Sequence, residues 1–406
     1  MQSKIRNPKP KIAIVGAGPS GASLAIRLAK ENFHVTLIER ERFPRRKLCG
    51  EFISPECFAH FRDLGVFDEM LAGGGDRILE TIFYEPGGRS VGIPSKWLGG
   101  DSQGALSLSR AAMDFCLLEK AREVGVEVLE ETQAVGILSG SDEICGIKIK
   151  SRNGETAKIF ADLTVDATGR GNVLSKLAER EISRKGTKQD QRPKTKIQNR
   201  LVGFKTHLRN VDLEKGVCEI YFFRGGYGGL SRVENGLANH CFLIKADIVK
   251  EFSSAAEKIV RKVIFQNKRA YQTLKNAAPV EDWLAVSVDG FGEKELNPAK
   301  NLFAVGDAGA FIDPFTGSGM LMAFESAEIL AKLVAENRFA PQQIAANYKI
   351  LHHRKFQKRM FVCSLLRRAA FVPALAKSAI SGLSLSAKLR MLLARSTRQA
   401  FSVGEK

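Results

Sequence analysis

The stretch Lys11-Ile12-Ala13-Ile14-Val15-Gly16-Ala17-Gly18-Pro19-Ser20-Gly21 decides the fold. Its first five residues form a short apolar, β-branched run of the kind that makes a buried strand. A Gly-x-Gly-x-x-Gly turn follows, Ser20–Lys30 continues with helical spacing, and His34–Ile38 reads as a second strand. This strand–turn–helix–strand order opens a parallel, doubly wound sheet. Gly16 makes the tight turn, Gly18 lets a pyrophosphate approach the backbone, and Gly21 lets helix and strand pack closely. Ala17, Pro19 and Ser20 complete the turn, and the helix N-terminus meets the phosphate charge. Glu39 ends the second strand, eighteen residues after Gly21, where a carboxylate can accept hydrogen bonds from a ribose. The pattern predicts a dinucleotide site.

The far end of the chain indicates which dinucleotide. Leu302-Phe303-Ala304-Val305-Gly306-Asp307-Ala308 is a strand ending in Gly-Asp. Phe311-Ile312-Asp313-Pro314-Phe315-Thr316-Gly317-Ser318-Gly319 then leads into an apolar helix, Gly319–Glu336. A carboxylate at the strand end can hold polyol hydroxyls. The Gly-rich helix start offers N–H groups and a positive dipole end. That combination suits the ribityl chain of a flavin and the N1–C2=O edge of its ring, which gains negative charge on reduction. A nicotinamide cofactor has no ribityl chain to hold, so the expected cofactor is FAD.

Between these ends, Ile78–Pro86 and Arg89–Pro94 flank Gly87-Gly88 as a β-hairpin, and Ser109–Val124 has helical spacing. Val126–Leu129 is a strand. Ala134–Leu138, Ile144–Ser151 and Thr156–Phe160 alternate as an antiparallel meander, and Leu163–Ala167 is again a buried strand. Glu181–Arg200, with seven basic residues and two acidic ones, reads as a loop or linker. Leu201–His207, Val217–Phe223 and Leu237–Ile244, joined by Gly-rich turns, suggest a second, mainly antiparallel sheet, followed by helices to about Lys275. The expected fold class is therefore α/β: a Rossmann-type FAD-binding domain with a mainly antiparallel β substrate domain and a helical C-terminal tail. The FAD-binding domain is expected from 1–76, 99–195 and 285–340, the substrate domain from 77–98 and 196–284, and a basic helical region from 341–406. At about 150 residues per domain, 406 residues accommodate this division.

Composition excludes other classes. Apolar residues are 44% and charged residues 26%, which rules out a disordered, collagenous or coiled-coil chain. No run of about eighteen apolar residues is present, so no spanning helix is expected. Seven scattered cysteines without a Cys-x-x-Cys pair argue against a disulfide framework or a zinc site. They point to a cytoplasmic protein with no metal. Of the net charge of +18, eleven units lie in residues 351–406, which hold twelve Lys/Arg and one Glu. Leu383, Leu385, Leu389, Leu392 and Leu393 share that tail with Lys388, Arg390 and Arg395. The tail reads either as a solvated cap on the fold or as a peripheral attachment to an anionic membrane surface. Nucleic acid is disfavoured because aromatics are not interleaved with the charges.

The chain resembles FAD-dependent oxidoreductases of the para-hydroxybenzoate-hydroxylase fold, and among them the geranylgeranyl reductase-like family, over about residues 10–335. The motifs that carry the resemblance are Gly16–Gly21, Pro44-Arg45-Arg46-Lys47-Leu48-Cys49-Gly50-Glu51, Ser109-Arg110 with Asp114, Asp166-Ala167-Thr168-Gly169-Arg170, and Gly306–Gly319. The resemblance implies that Arg110 reaches the FAD phosphates, Glu39 the adenosine ribose and Asp307 the ribityl chain. Ala134 would pack near the adenine, and Pro314, Gly317, Ser318 and Gly319 would edge the isoalloxazine. Arg40, Cys49, Gly50, Asp166, Gly169 and Gly306 complete the implied FAD contacts. The motif at Asp166 reads Asp-Ala-Thr-Gly in place of the Asp-Gly form of aromatic hydroxylases. The paired-tryptophan motif of flavin halogenases is absent, since Trp97 and Trp283 lie far apart in sequence.

Cys49 and Tyr227 are the candidate catalytic residues. A thiol close to the flavin can relay a proton or sense redox state, or it can serve only as packing. Tyr221, Phe222, Phe223, Tyr227 and Phe242 fall on the second sheet, either as core or as the wall of an apolar substrate tunnel. The expected activity is alkene reduction by hydride transfer from reduced FAD to a lipophilic substrate, isoprenoid or polyketide-derived. The alternatives are an FAD monooxygenase acting on a phenolic or lipidic substrate, and a membrane-associated flavin redox sensor or electron carrier. With no second Gly-x-Gly-x-x-Gly, electrons would come from transiently docked NAD(P)H or from a partner reductase. The sequence leaves the oligomeric state open.

Overall fold

The first sheet is parallel throughout, in the order Leu302–Ala304, Leu163–Asp166, Lys11–Val15, His34–Ile38, Glu127–Leu129. This computed structural model describes residues 9–100, 104–140, 143–185, 200–337 and 340–398. Strand alternation sends successive side chains to opposite faces. Ile12 and Ile14 pack with the helices Pro19–Lys30, Arg110–Glu123 and Gly319–Asn337. Ala13 and Val15 pack on the other side, against the meander Thr132–Ser139, Ile144–Ser151 and Thr156–Phe160 and the helix Val173–Lys185. Both faces are covered, which is why these strands read as continuous apolar runs.

The second sheet has eight strands. Its order is Ala278–Pro279, Leu201–Arg209, Ala238–Lys245, Gly226–Arg232, Val217–Phe223, Glu80–Tyr84, Ser90–Pro94, with Leu284–Val288 also paired to Leu201–Arg209. Only Val217–Phe223 and Glu80–Tyr84 run parallel among the described pairs. The two readings of its aromatics are realised on opposite faces. Tyr221, Phe223 and Phe242 are core against the helices between 246 and 274. Phe222 and Tyr227 face the other way, toward Ala370, Ala376 and Ile380 of the C-terminal helices.

Three expectations need correction. Gly226–Arg232 is a strand, not a turn. A side chain at Gly226 would meet the Leu243 carbonyl oxygen at 2.2 Å and one at Gly228 would meet Phe242 at 2.7 Å, so the glycines serve close strand packing. The substrate sheet continues through Leu284–Val288, past the expected limit at 284, because this strand pairs along Leu201–Lys205. Of the expected linker Glu181–Arg200, residues 181–185 end the helix Val173–Lys185, and 186–199 lie outside the described residues. The tail is helical as expected, in Pro341–Ala370, Pro373–Ser384 and Ala387–Ser396.

One buried carboxylate joins the two sheets. Glu51, in the loop after the second strand, is fully buried with φ of 54°. It pairs with Lys205 Nζ, lies 2.7 Å from His207 Nε2, and accepts the Arg110 N–H at 2.8 Å. Burial opposes its charge, but His207 and Lys205 outweigh that and hold its pKa below the ordinary carboxylate value. The stabilisation is therefore complete above the ordinary carboxylate pKa and is lost as the pH falls through the lower, native one. Removing one partner of a buried pair costs about 3–5 kcal/mol, because the other charge is left uncompensated. Glu51→Ala should lower the chemical denaturation midpoint accordingly, and the double substitution Glu51→Met/Lys205→Met should recover much of the loss. A single variant as stable as wild type would contradict the clamp.

Candidate active site

The glycines of the first turn have separate reasons. Gly16 has φ of +104°, and a Cβ there would meet the Ala167 carbonyl oxygen at 2.3 Å. A Cβ at Gly21 would lie 1.8 Å from the Gly16 carbonyl oxygen. These two positions are closed by the protein itself. Gly18 is different: its Cβ position faces open space bounded by Arg110 at 3.8 Å and Arg45 at 4.0 Å. The missing side chain leaves a backbone approach that faces two guanidinium groups. No acidic residue occupies the first turn of Pro19–Lys30, so its positive end is not neutralised from within.

Asp114 holds the two cations. Arg110 Nε and Nη2 donate to it at 2.8 and 2.7 Å, and Arg45 Nη1 donates at 2.8 Å. Burial disfavours the Arg110 charge, but the Asp114 carboxylate outweighs it and keeps the guanidinium protonated above its ordinary pKa. Glu39 accepts the Ala17 N–H at 2.9 Å and the Glu41 N–H at 3.2 Å, which fixes its carboxylate at the end of the second strand. A helix N-terminus, an open glycine and two oriented guanidinium groups fit a pyrophosphate.

Asp307 stands at the other strand end. Its carboxylate lines the same cavity, and no hydrogen bond or ion pair from the described residues reaches it. Burial pushes its pKa up, opposed by Arg170, Lys294 and Arg110. A shielded carboxylate without a donor suits a polyol. Beyond it, Gly317 has φ of +64° with the Phe52 ring 2.9 Å from its Cβ position. The helix Gly319–Asn337 starts at the cavity wall.

These groups share one cavity of about 710 Å³. Gly16, Gly18, Pro19, Ser20, Glu39 and Arg40 line one end, with Ala134 and Gly169. Asp307, Pro314, Gly317 and Gly319 line the middle, next to Cys49 and Gly50. Phe83, Phe222, Tyr227, Phe315 and Leu243 line the far part, which is roofed by Leu366, Ala370, Ile380, Leu383 and Ala394 of the C-terminal helices. Ala17, Gly21, Gly306 and Ser318 support the wall from behind. The Gly306 N–H donates to Ser326 Oγ at 2.9 Å, and Ser318 Oγ lies 3.1 Å from Thr316 Oγ1.

Asp166 does not line the cavity either. It is fully buried, one oxygen accepting from Thr168 N and Oγ1 and the other from Ser175 N and Oγ. Every strong acceptor direction is engaged in shaping the turn and the helix start, so its role is structural. Cys49 Sγ accepts the Glu51 N–H at 3.4 Å and faces Arg110, while Asn239 Nδ2 holds the Cys49 carbonyl at 3.1 Å.

Sequence reasoning missed the polar cluster in the apolar half. Tyr227 OH donates to Asp313 Oδ1 at 2.9 Å, Phe315 N–H donates to the same oxygen at 2.9 Å, and Arg367 Nε lies 3.5 Å from Oδ2. Burial raises the Asp313 pKa to about 6, against these donors. No spacing rule links positions 227, 313 and 367. Of the three, only Tyr227 was a candidate site residue from the sequence.

A family model described as an FAD binding domain matches residues 9–353. The chain belongs to this FAD-binding family. It is an FAD-dependent oxidoreductase, as the relatives agree. Tryptophan 2-halogenase of Chondromyces crocatus is 27% identical over 369 residues, 89% of this chain and 67% of that protein. Digeranylgeranylglycerophospholipid reductase 1 of Methanococcoides burtonii is 25% identical over 353 residues, 86% of this chain and 78% of that one. Among solved structures, a geranylgeranyl bacteriochlorophyll reductase-like protein of Thermoplasma acidophilum superposes with TM-score 0.73 at 19% identity, covering 96% of this chain and 97% of that one. The flavin-dependent brominase Bmp2 also gives 0.73 at 19% identity, covering 94% and 92%. These two likenesses show the fold. Halogenases thus stand beside reductases among the relatives, although the paired tryptophans are missing from the sequence.

Asp307→Ala should weaken FAD retention. A hydrogen bond to a charged acceptor contributes about 1.5–3 kcal/mol, a loss of roughly 10- to 150-fold in affinity, readable by flavin absorbance after desalting. Unchanged retention would mean that the carboxylate serves something else.

Proposed function

We propose that the protein reduces a carbon–carbon double bond in a lipophilic substrate, isoprenoid or polyketide-derived. The observation that carries this reading is the cavity that runs from the loop 314–319 into an apolar chamber lined by Tyr227, with Asp313 buried behind Tyr227 and hydrogen-bonded to it. The name of the Methanococcoides relative, a reductase of a digeranylgeranyl lipid, supports the substrate class. FAD, bound and reduced, supplies the hydride. Electrons reach it from NAD(P)H docking transiently or from a partner reductase.

The chain's own residues do the rest. Arg45 and Arg110 neutralise the pyrophosphate, and Asp307 holds the ribityl chain. Phe83, Phe222 and Phe315 exclude water and hold the alkene by apolar contact. Tyr227 donates its phenolic proton to the second alkene carbon while protonated Asp313 gives its own proton to the Tyr227 oxygen. The tyrosine ends neutral and the aspartate ends ionised. With the hydride that reduced FAD would supply, this proton would complete the saturated product. Turnover should therefore fall as the pH rises through about 6, where Asp313 ionises. Asp313→Asn should remove that dependence. Tyr227→Phe should cut turnover by about a hundredfold or more while flavin content stays unchanged. A Tyr227→Phe variant with wild-type turnover would sink the relay.

One feature favours a second reading, hydroxylation of a phenolic substrate. With Asp313 ionised, Tyr227 donates to it and turns its oxygen into an acceptor for a substrate hydroxyl. Anaerobic incubation of the reduced holoenzyme with polyprenyl lipids separates the two. The reductase reading expects a product heavier by two hydrogens without oxygen. Turnover only in air, with an oxygen atom gained or with halide incorporated, would overturn it. An absence of product under any of these conditions would leave the redox carrier.

A further inference from the structure

The C-terminal helices have apolar residues on both of their sides. Their inner side roofs the cavity with Leu366, Ala370, Ile380, Leu383 and Ala394. Their outer side is just as apolar. Of fifteen large apolar side chains exposed among the described residues, nine lie between 350 and 392. Phe361 is 72% exposed, Leu365 60% and Leu385 87%. On the long helix Pro341–Ala370, Ile350, Arg354, Phe361, Leu365 and Arg368 recur at helical spacing along one exposed stripe. On the last two helices, Leu375, Leu389 and Leu392 are exposed beside Lys377, Lys388 and Arg395.

The charge on this face is of one sign. No Asp or Glu occurs between Glu336 and Glu405. The tail's buried cations are paired inward: Arg359 with Glu325, Arg367 with Asp313 and Arg398 with Glu56. Those pairs fasten the roof to the body. Arg354, Lys358, Arg368, Lys388 and Arg395 are exposed, and among the described residues no carboxylate lies within ion-pair distance of them, while Lys377 is near enough to Glu85 to lower its pKa. Apolar side chains interspersed with unpaired cations are stable in water only at a cost. They match an interface that is anionic at the surface and apolar just below.

We infer that the outer face of the C-terminal helices seats on an anionic lipid bilayer, so that the roof of the substrate cavity is also the membrane-contacting surface. Among the described residues no helix is long and apolar enough to cross a membrane, so the contact is interfacial. The seating itself rests on charge and exposure alone. Its consequence, that substrate enters from the bilayer through the roof, rests on the lipophilic-substrate reading above. A Lys or Arg near such a surface strengthens binding by about fivefold. The attraction is screened within about 8 Å at physiological salt, so much of it should disappear as salt rises. The part due to buried Phe361 and the leucines should remain.

Co-sedimentation of the full FAD-loaded chain with vesicles tests the seating without any turnover. One set of vesicles is phosphatidylcholine with phosphatidylglycerol and the other is phosphatidylcholine alone. Wild type should pellet with the mixed vesicles and far less with the neutral ones. Arg354→Glu/Arg368→Glu/Lys388→Glu should lose about a hundredfold in partitioning. Phe361→Ser/Leu365→Ser/Leu389→Ser should lose the salt-resistant part. Flavin absorbance reports that each variant is folded. Wild type failing to pellet, or either triple variant pelleting like wild type, would overturn the inference. Release by duplex DNA at equal phosphate would overturn it too, in favour of general polyanion binding. None of these results depends on which reaction the cavity performs.

Discussion

The most deeply buried ionic link between the two sheets is the Glu51 carboxylate. It sits in a loop of the dinucleotide layer, yet two of its partners, Lys205 and His207, belong to the substrate sheet. The third, the Arg110 N–H, starts the helix whose Arg110 and Asp114 face the fingerprint turn. An ionised group buried this completely is tolerable only with all its partners in place. The clamp therefore fixes at one stroke the distance between sheets, the position of the phosphate-facing guanidinium groups and the path of the Cys49 loop. The positive φ at Glu51 is held against its conformational cost by those same contacts.

Charge along the cavity follows the cofactor. At the diphosphate end stand two guanidinium groups tied to one aspartate and an uncompensated helix N-terminus. Farther along stands the Asp307 carboxylate, which receives no hydrogen bond from the described residues. Beyond it the wall becomes largely apolar, and behind it the buried Asp313 carboxyl, hydrogen-bonded by Tyr227, has a pKa raised to about 6. Burial drives that shift. The proposed proton transfer makes use of that shift. Arg367 ties the cluster to the C-terminal roof.

The cofactor half was legible in the sequence because its rules are local. Gly16, Gly18, Gly21 and Glu39 have roles set by strand, turn and helix within thirty residues of chain. The Gly306-Asp307 strand end reads the same way. The hydrogen bonds of Asp166 were not legible, because a strand-end carboxylate can as well cap the next helix, and only the positions of Thr168 and Ser175 decide. Gly226–Arg232 was misread because its glycines answer to Phe242 and Leu243 on the neighbouring strand, contacts that no local pattern announces. The Tyr227–Asp313–Arg367 cluster and the Glu51 clamp are long-range for the same reason. The tail's charge was visible at once, but its two-sided apolarity needed the fold.

The central claim is that the two sheets enclose one continuous site, cofactor at one end and apolar chamber at the other. A crystal structure of the FAD-loaded protein tests it most directly. The account predicts the pyrophosphate at the start of Pro19–Lys30 beside Arg45 and Arg110, ribityl hydroxyls on Asp307, and the ring edge at Gly317–Gly319 with its open face toward Tyr227. A flavin ring that turns away from the Tyr227 chamber, or a pyrophosphate bound elsewhere, would contradict it.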